Sequence, residues 1–414
     1  MRISMITIGS TGDVKPYILL GRELQKRGHS INLCAFRNFR EMVEKEGFTF
    51  YPIDRDAKDY MQQILNNNKG AIDFLKNINS EIMVLSRVLI DAVDACVQAG
   101  DIVIGSFFGS INQKVAEKYN KKYVQTHFFP MDINDITPIS SAKGFILGPS
   151  YYKFSYKLGH LLINLFQNYY INKNKEEYAL TPVPVKMEPS YEINGEPFPV
   201  IYALSRYVLP PYEKWPNNIH VVGYFMEETP QEYTPSPELE EFLQAGEAPI
   251  YVGFGSMLSD RLQKFLNITV EACIKAGIRA VVVKGWKDFV TPQNKNIFVC
   301  DSIPHDYIFK HVKAVVHHGG AGTFGAGISH GRPTLIVPFG GDQPFNATRA
   351  FDLGVGPSPV HTEWLGVNKM EEKLVELISD PVYAQNALEL AEKVNQEQGV
   401  QTAANIIESY MYAN

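Results

Sequence analysis

The chain opens Met1-Arg-Ile-Ser-Met-Ile-Thr-Ile-Gly9-Ser-Thr-Gly12-Asp13-Val-Lys-Pro16. Residues 2–8 are apolar-rich and β-branched, as a strand buried on both faces must be. Gly9-Ser-Thr-Gly12 then makes a turn. Residues 16–27 carry Ile18, Leu19, Leu20 and Leu24 at near-helical spacing, and Gly28 suits a C-cap. Ser30-Ile-Asn-Leu-Cys-Ala35 reads as a second strand, the stretch around 38–46 as a helix and 48–53 as a strand. Asp101-Ile-Val-Ile-Gly105 and Lys122-Tyr-Val-Gln-Thr126 are further buried strands, with a helix at 109–119 between them. Strand–helix alternation with short turns predicts a parallel sheet covered by helices on both faces.

The alternation breaks between about 128 and 215, where prolines and aromatics accumulate, and residues 226–237 have the polar Glu/Thr/Pro composition of a linker. A second series follows. Pro249–Phe254 is a strand ending in Gly253-Phe-Gly-Ser256, 259–276 a helix, and Arg279–Val283, Ile297–Cys300, Ala314–His317 and Thr334–Val337 are strands. Residues 368–412 are mostly helical by pattern. The expectation is an α/β protein of two doubly wound domains facing across a cleft, 1–225 and 226–414, with the final helix able to pack back on the first domain.

Composition narrows the function. The 414 residues are 45% hydrophobic and 20% charged, and the net charge is −6. That balance fits a globular chain and disfavours a nucleic-acid partner, which calls for a basic excess. Cys34, Cys96, Cys273 and Cys300 form no CxxC pair, which excludes a zinc ribbon and fits a reducing compartment. The N-terminal apolar run is too short for a signal segment, and no stretch nears the about 18 apolar residues of a spanning helix. A cytoplasmic location is expected.

Ligands of doubly wound sheets bind at glycine turns beyond the carboxyl ends of strands. Three such turns occur, at 9–12, 253–256 and 319–325. The densest is His317-His-Gly-Gly-Ala-Gly-Thr-Phe-Gly325, between a buried strand and a helix. Small residues there let backbone amides approach an anion, and a phosphate is the natural guest, with His317 and Thr323 as side-chain donors. Gly320-Ala-Gly-Thr-Phe-Gly325 is also a formal GxGxxG with Asp342 downstream, so an NAD(P)-dependent oxidoreductase is a rival reading. That fingerprint usually opens a domain, and here it follows several α/β units. Pro338-Phe-Gly-Gly-Asp342-Gln343-Pro-Phe-Asn346 offers groups suited to a polyhydroxy ligand. Asp13 stands at the end of the first strand, where it is either a general base or a helix N-cap. Asp54-Arg-Asp56 lies far from the glycine turns and reads as a loop, not a metal site. Residues 136–175 contain no Asp or Glu, and lysines there stand beside aromatics and an apolar helical face. Peripheral membrane contact through 143–175 and a helix lining or covering an acceptor pocket are both open readings.

Taken together, Gly9-Ser-Thr-Gly-Asp-Val-Lys-Pro16, Ile219-His-Val-Val-Gly-Tyr224, Gly253-Phe-Gly-Ser-Met257, His317-His-Gly-Gly-Ala-Gly-Thr323 and Asp342-Gln-Pro-Phe-Asn346 resemble glycosyltransferase family 1 over nearly the whole chain. The branch is that of sterol glucosyltransferases and of bacterial enzymes that glycosylate antibiotics. The resemblance implies the GT-B fold, with two Rossmann-like domains. It implies an N-terminal acceptor domain and a C-terminal domain for a nucleotide sugar, most often UDP-glucose, used as co-substrate with no bound cofactor. It implies transfer of a hexose with inversion, without a metal, to a hydrophobic alcohol such as a sterol, lipid or polyketide. Carried over by position, Asp13 is the catalytic base and His317 contacts the donor diphosphate. Gly319, Gly320, Ala321, Gly322 and Thr323 cradle it, as does Ser256. Asp342 and Gln343 hold donor-sugar hydroxyls, and the Ile303 backbone meets the nucleobase. His127, Phe128 and Met131 are assigned to the acceptor, and His127 is an alternative base. A sugar-nucleotide epimerase of the same fold is a further alternative.

Overall fold

In the computed structural model, which describes residues 1–56, 86–106, 109–139, 148–183, 185–227, 233–255, 260–284, 294–360 and 365–413, the opening stretch forms β1 (Arg2–Ile6) and α1 (Thr11–Lys26). The helix starts earlier than the sequence pattern predicts. Ser10 is its N-cap, in a capping box with Asp13, and Pro16 lies inside the helix rather than at its first position. β2 (Ser30–Phe36), a 3-10 turn (Arg37–Phe39), α2 (Arg40–Glu44) and β3 (Thr49–Ile53) follow, then α3 (86–99), β4 (Ile102–Gly105), α4 (Gly109–Lys118) and β5 (Lys122–His127). The region without a clear pattern holds α5 (Gly148–Tyr178), a hairpin of β6 (Glu192–Ile193) and β7 (Glu196–Pro197), and strands β8 (Val200–Tyr202) and β9 (Ile219–Val221). The parallel sheet runs β3-β2-β1-β4-β5-β8-β9. Its central strands are buried on both faces, hence their largely apolar sequences.

The second series begins with α6 (Pro237–Gln244), capped by Ser236. It continues with β10 (Ile250–Gly253), α7 (Asp260–Lys275), β11 (Ala280–Val283), β12 (Ile297–Cys300), α8 (His305–His311), β13 (Ala314–His317), α9 (Ala321–Ser329), β14 (Thr334–Ile336) and α10 (Gln343–Asp352). α11 (Val367–Ser379) and α12 (Pro381–Val394) complete it. Its sheet runs β12-β11-β10-β13-β14, again all parallel. In each sheet the strand order reverses beside the first strand, at β1/β4 and at β10/β13. The loops that diverge there open a crevice at the carboxyl edge, where such folds bind ligands.

The chain divides into two compact units, Met1–Met226 with Gln398–Asn414, and Glu227–Glu397. The final helix, α13 (Gly399–Tyr412), belongs to the first. Arg27 Nη1 and His29 Nε2 lie 2.8 and 2.9 Å from the Glu408 carboxylate, and Lys122 Nζ donates to the carbonyls of Tyr410 and Met411. Asp54 is exposed and pairs with Arg37 at 3.1 Å. Among the described residues no group of three or more His, Cys, Asp or Glu side chains is placed to hold a metal, and no helix is long and apolar enough to cross a membrane.

The seat of α13 depends on Gly399. A Cβ there would lie 2.4 Å from the Tyr224 carbonyl oxygen and 2.6 Å from that of Gly223, both backbone atoms that cannot rotate aside. Gly399→Ala is therefore expected to lose ~1–3 kcal/mol, the usual cost of overpacking, read as a lower urea midpoint. Ser409→Ala, exposed on the same helix, should be near neutral in the same measurement.

Candidate active site

In the second unit, β13 delivers His317 to the carboxyl edge, and His318-Gly319-Gly320 turns the chain into α9. His317 is fully buried. Its Nδ1 accepts from the Gly319 N–H at 3.0 Å, so the proton is on Nε2, which donates to Thr334 Oγ1 at 2.9 Å. Both nitrogens are occupied within the turn, and burial holds the ring well below the usual histidine pKa. His317, expected from the resemblance to contact a diphosphate, thus has neither ring nitrogen free for a ligand. His318 is partly exposed, yet its Nδ1 is buried without a partner among the described residues. A Cβ on Gly255, in the turn after β10, would lie 2.9 Å from His318 Cε1, and one on Gly320 2.7 Å from Nε2. Burial, then the nearby His305, pushes His318 down to about 4, so the ring is neutral near pH 7. β13 ends at His317, which it buries, and His318 is the first residue of the turn beyond the strand.

Gly319 is required here: its φ is +96°, and a Cβ would meet Ile336 Cγ2 at 2.6 Å and the Gln343 carbonyl at 3.2 Å. Gly320 caps α9, and Gly322 and Thr323 occupy its first turn, where a helix leaves N–H groups without intrahelical acceptors. The space beside Gly322 is open. Asp342 accepts from the Ala321 N–H at 2.8 Å, and Asn346 Nδ2 donates to the Gly319 carbonyl at 2.7 Å. Gln343 is buried, and its Oε1 accepts from the amides of Phe339 and Gly340 at 2.7 and 3.3 Å. Asp342 is half-exposed. The Ile303 side chain packs with Tyr251, Ile308 and Phe309, so only its backbone can meet a ligand. Ser256 lies outside the described residues. Gly320–Gly325 follows β13, the fourth strand of its sheet in chain order, whereas a dinucleotide fingerprint follows the first.

In the first unit, Asp13 Oδ2 accepts from the Ser10 amide at 2.7 Å and the Ser10 hydroxyl at 3.0 Å. Ser10, not Asp13, is the N-cap; Asp13 is the third helical residue and accepts back from Ser10, so the N-cap reading of Asp13 is corrected to the far member of a capping box. Burial raises the carboxyl pKa, partly offset by the Ser10 bonds. A Cβ on Gly9 would fall 2.2 Å from that oxygen, so only glycine admits this approach.

The three acceptor candidates separate. Phe128 packs edge-on against Tyr17 of α1 at 5.8 Å and Phe225 at 6.4 Å. His127 and Met131 line a cavity of about 210 Å³ together with His160, Tyr191 and Phe198. Both nitrogens of His127 are buried without a partner among the described residues, and burial, with His160 nearby, pushes the ring down to about 3. His160 Nε2 donates to the Met131 carbonyl at 2.7 Å, and Asp132 accepts from the hydroxyls of Tyr202, at 2.5 Å, and Tyr191. His127 and Asp13 share no hydrogen bond among the described residues, so His127 is not a base held by Asp13. His160, Asp132 and His318 are the residues that sequence reasoning passed over. Only His318 carried a signal, as the second histidine of the glycine turn.

Residues 3–138 match the glycosyltransferase family 28 N-terminal domain, and residues 275–408 the erythromycin biosynthesis protein CIII-like C-terminal domain. Sterol 3-beta-glucosyltransferase UGT80A2 of Arabidopsis thaliana is 32% identical over 97% of this chain and 64% of its own length. The sterol 3-beta-glucosyltransferase of Candida albicans is 30% identical over 98% of this chain. This chain spans only 27% of that relative's length. Among solved structures, the calicheamicin glycosyltransferase CalG4 superposes with a TM-score of 0.72, covering 99% of this chain and 98% of its own at 18% identity. The two matched parts thus carry a glycosyltransferase family 28 type N-terminal domain followed by an EryCIII-like C-terminal domain, and the chain shares the fold of these solved structures from end to end.

Proposed function

We propose that the chain transfers a hexose, glucose in the first instance, from a nucleoside diphosphate sugar such as UDP-glucose to a hydroxyl of a hydrophobic acceptor, a sterol, another lipid or a polyketide. The observation that carries the reading is the anion site at the start of α9: first-turn amides, open space at Gly322, and the unpartnered Nδ1 of His318. Similarity to sterol glucosyltransferases supports the acceptor class. The four thiols, none paired, suit a cytoplasmic enzyme, and a lipid alcohol as acceptor draws the reaction to a membrane surface.

The chemistry follows from charge. The diphosphate gains negative charge as the anomeric C–O bond breaks. The amides of Gly320, Gly322 and Thr323, the Thr323 hydroxyl and His318 are preorganised to meet it, which is where such a site lowers the barrier. This charge is met without a metal. His317 holds the turn from behind. Asp342 reaches the donor-sugar hydroxyls while Gln343 fixes the loop that presents it, and the backbone at Ile303 meets the base. Asp13 takes the proton of the acceptor hydroxyl as it attacks the face opposite the leaving group, so the anomeric centre inverts. Desolvation, which raises the Asp13 pKa, makes its carboxylate a stronger base than a solvated one.

Five outcomes test this. In a thermal-shift panel, UDP or dTDP should raise the melting temperature while NAD and NADP leave it unchanged, since a ligand of the native state stabilises by mass action. Stabilisation by NAD or NADP alone would replace transfer with oxidoreduction. His318→Ala should slow transfer ~10²-fold or more, the scale of removing one oxyanion-type donor. His317→Ala should instead lower stability by ~1–3 kcal/mol, because Gly319 N–H and Thr334 lose a buried partner. Asp13→Asn should keep nucleotide affinity and lower the rate ~10²–10⁴-fold, whereas a residue that only caps α1 would leave turnover nearly unchanged. Turnover should also persist in EDTA; loss restored by Mg²⁺ would return the leaving-group chemistry to a metal.

A further inference from the structure

The 31-residue helix α5 is amphipathic the wrong way round for a soluble protein. The residues it buries are mostly polar: Ser155, Tyr156, His160, Tyr170, Ile171 and Asn174. They are held by hydrogen bonds. Ser155 Oγ accepts from the Ile139 amide at 2.9 Å, Tyr156 Oη from Asn134 Nδ2 at 2.8 Å, and Asn174 Nδ2 donates to Ser86 Oγ at 3.2 Å. The outward face carries Phe154, Leu158, Leu162, Leu165, Phe166 and Tyr169, each exposed, Phe154 at 58% and Leu162 at 57%. At 100° per residue these six fall within an arc of about 120° and run about 22 Å along the axis. Val185 and Met187, exposed at 47% and 49%, lie in a segment strapped to the same helix through Asn164 Nδ2 to the Lys186 carbonyl and Asn168 Nδ2 to the Val183 carbonyl. A contiguous apolar surface of this kind marks an interaction face.

Charge identifies the partner. No acidic residue occurs from 136 to 175. On the helical wheel Lys157 and Lys175 stand about 60° from the apolar arc on one side and Lys173 lies at its other margin, while Lys153 turns to the inner side, 5.6 Å from the centre of the Tyr212 ring. Lys173 lies 4.4 Å from the centre of the Tyr169 ring, and Lys157 pairs with Glu188 at 2.9 Å. Glu176 and Glu177 come only past the end of the stripe, and Glu177 pairs with Arg87. A stripe of Phe, Leu and Tyr edged by lysines matches the boundary between acyl chains and anionic headgroups, with the ammonium groups reaching the phosphates and the rings at headgroup depth. We infer that the outward face of α5, with Val185 and Met187, is a docking surface for an anionic lipid bilayer. It seats the first unit in the interface plane without crossing the membrane. The inference stands apart from the transfer reaction, because its readout is lipid binding.

The test is flotation of the whole chain with vesicles of phosphatidylcholine, with and without phosphatidylserine. The chain should float with the anionic vesicles and less so as salt rises, because headgroup attraction is screened. Phe154→Ser/Leu158→Ser/Leu162→Ser should lower the bound fraction roughly tenfold or more while UDP affinity and melting temperature hold. Lys157→Gln/Lys173→Gln/Lys175→Gln, which leaves the apolar stripe whole, should weaken binding to anionic vesicles and flatten its salt dependence. Wild-type protein that fails to float, a serine variant that floats as well as wild type, or a glutamine variant with unchanged salt dependence would each overturn the inference. So would a concentration-dependent dimer, lost in the serine variant, with no lipid binding, since the stripe would then be a face between copies. Loss of transfer to a water-soluble acceptor in the serine variant, without vesicles present, would make it an acceptor wall instead.

Discussion

The 2.8 Å hydrogen bond from the Ala321 amide to the Asp342 carboxylate is the contact on which the second unit's site depends. It ties the start of α9 to the loop before α10, and so fixes the two turns that diverge from neighbouring strands. A carboxylate at a helix N-terminus is stabilised by the amides and the helix dipole. The first unit uses the same device at its own switch point, where Asp13 accepts from Ser10 at the start of α1. The two differ in what surrounds them. Asp342 is half-exposed and laces one turn to another. Asp13 is packed so closely under Gly9 that loss of water outweighs its hydrogen bonds. One arrangement yields a fixed anchor, the other a carboxylate with raised basicity.

His317 supports the first of these from the core. Its proton is placed by the Gly319 amide, and Thr334 accepts it. A charged imidazole there would be stranded among apolar neighbours, so the ring works as a neutral brace. The next histidine, His318, is half-exposed and takes no part in that brace.

Most of the architecture was legible because strands buried on both faces must be largely apolar, and β1, β4, β10 and β13 are, with Ser4 of β1 and His317 of β13 buried on hydrogen bonds. The start of α1 was not, because Pro16 reads as a first helical residue, while the true cap is the Ser10–Asp13 pair within the glycine turn. Which of His317 and His318 is buried is invisible in composition: it follows from where β13 ends, with His317 paired to Gly253 and Ile336. The network of His160, Asp132, Tyr191 and Tyr202 was equally hidden. Its members are far apart in sequence and meet only where α5 and the strand pair β5–β8 converge.

α5 shows why the middle of the chain resisted reading. Pattern analysis assumes that the apolar stripe of a helix points inward. Here the inward face is secured by polar contacts to the loop after β5 and to α3, so its stability does not require the apolar stripe to be buried in the protein. Buried hydrogen bonds also fix the orientation, because rotating the helix would break those of Ser155, Tyr156, His160 and Asn174 Nδ2. The leucines are consequently held outward by the polar side. A helix pinned this way can give its apolar face to another phase without loosening the unit that carries Asp13.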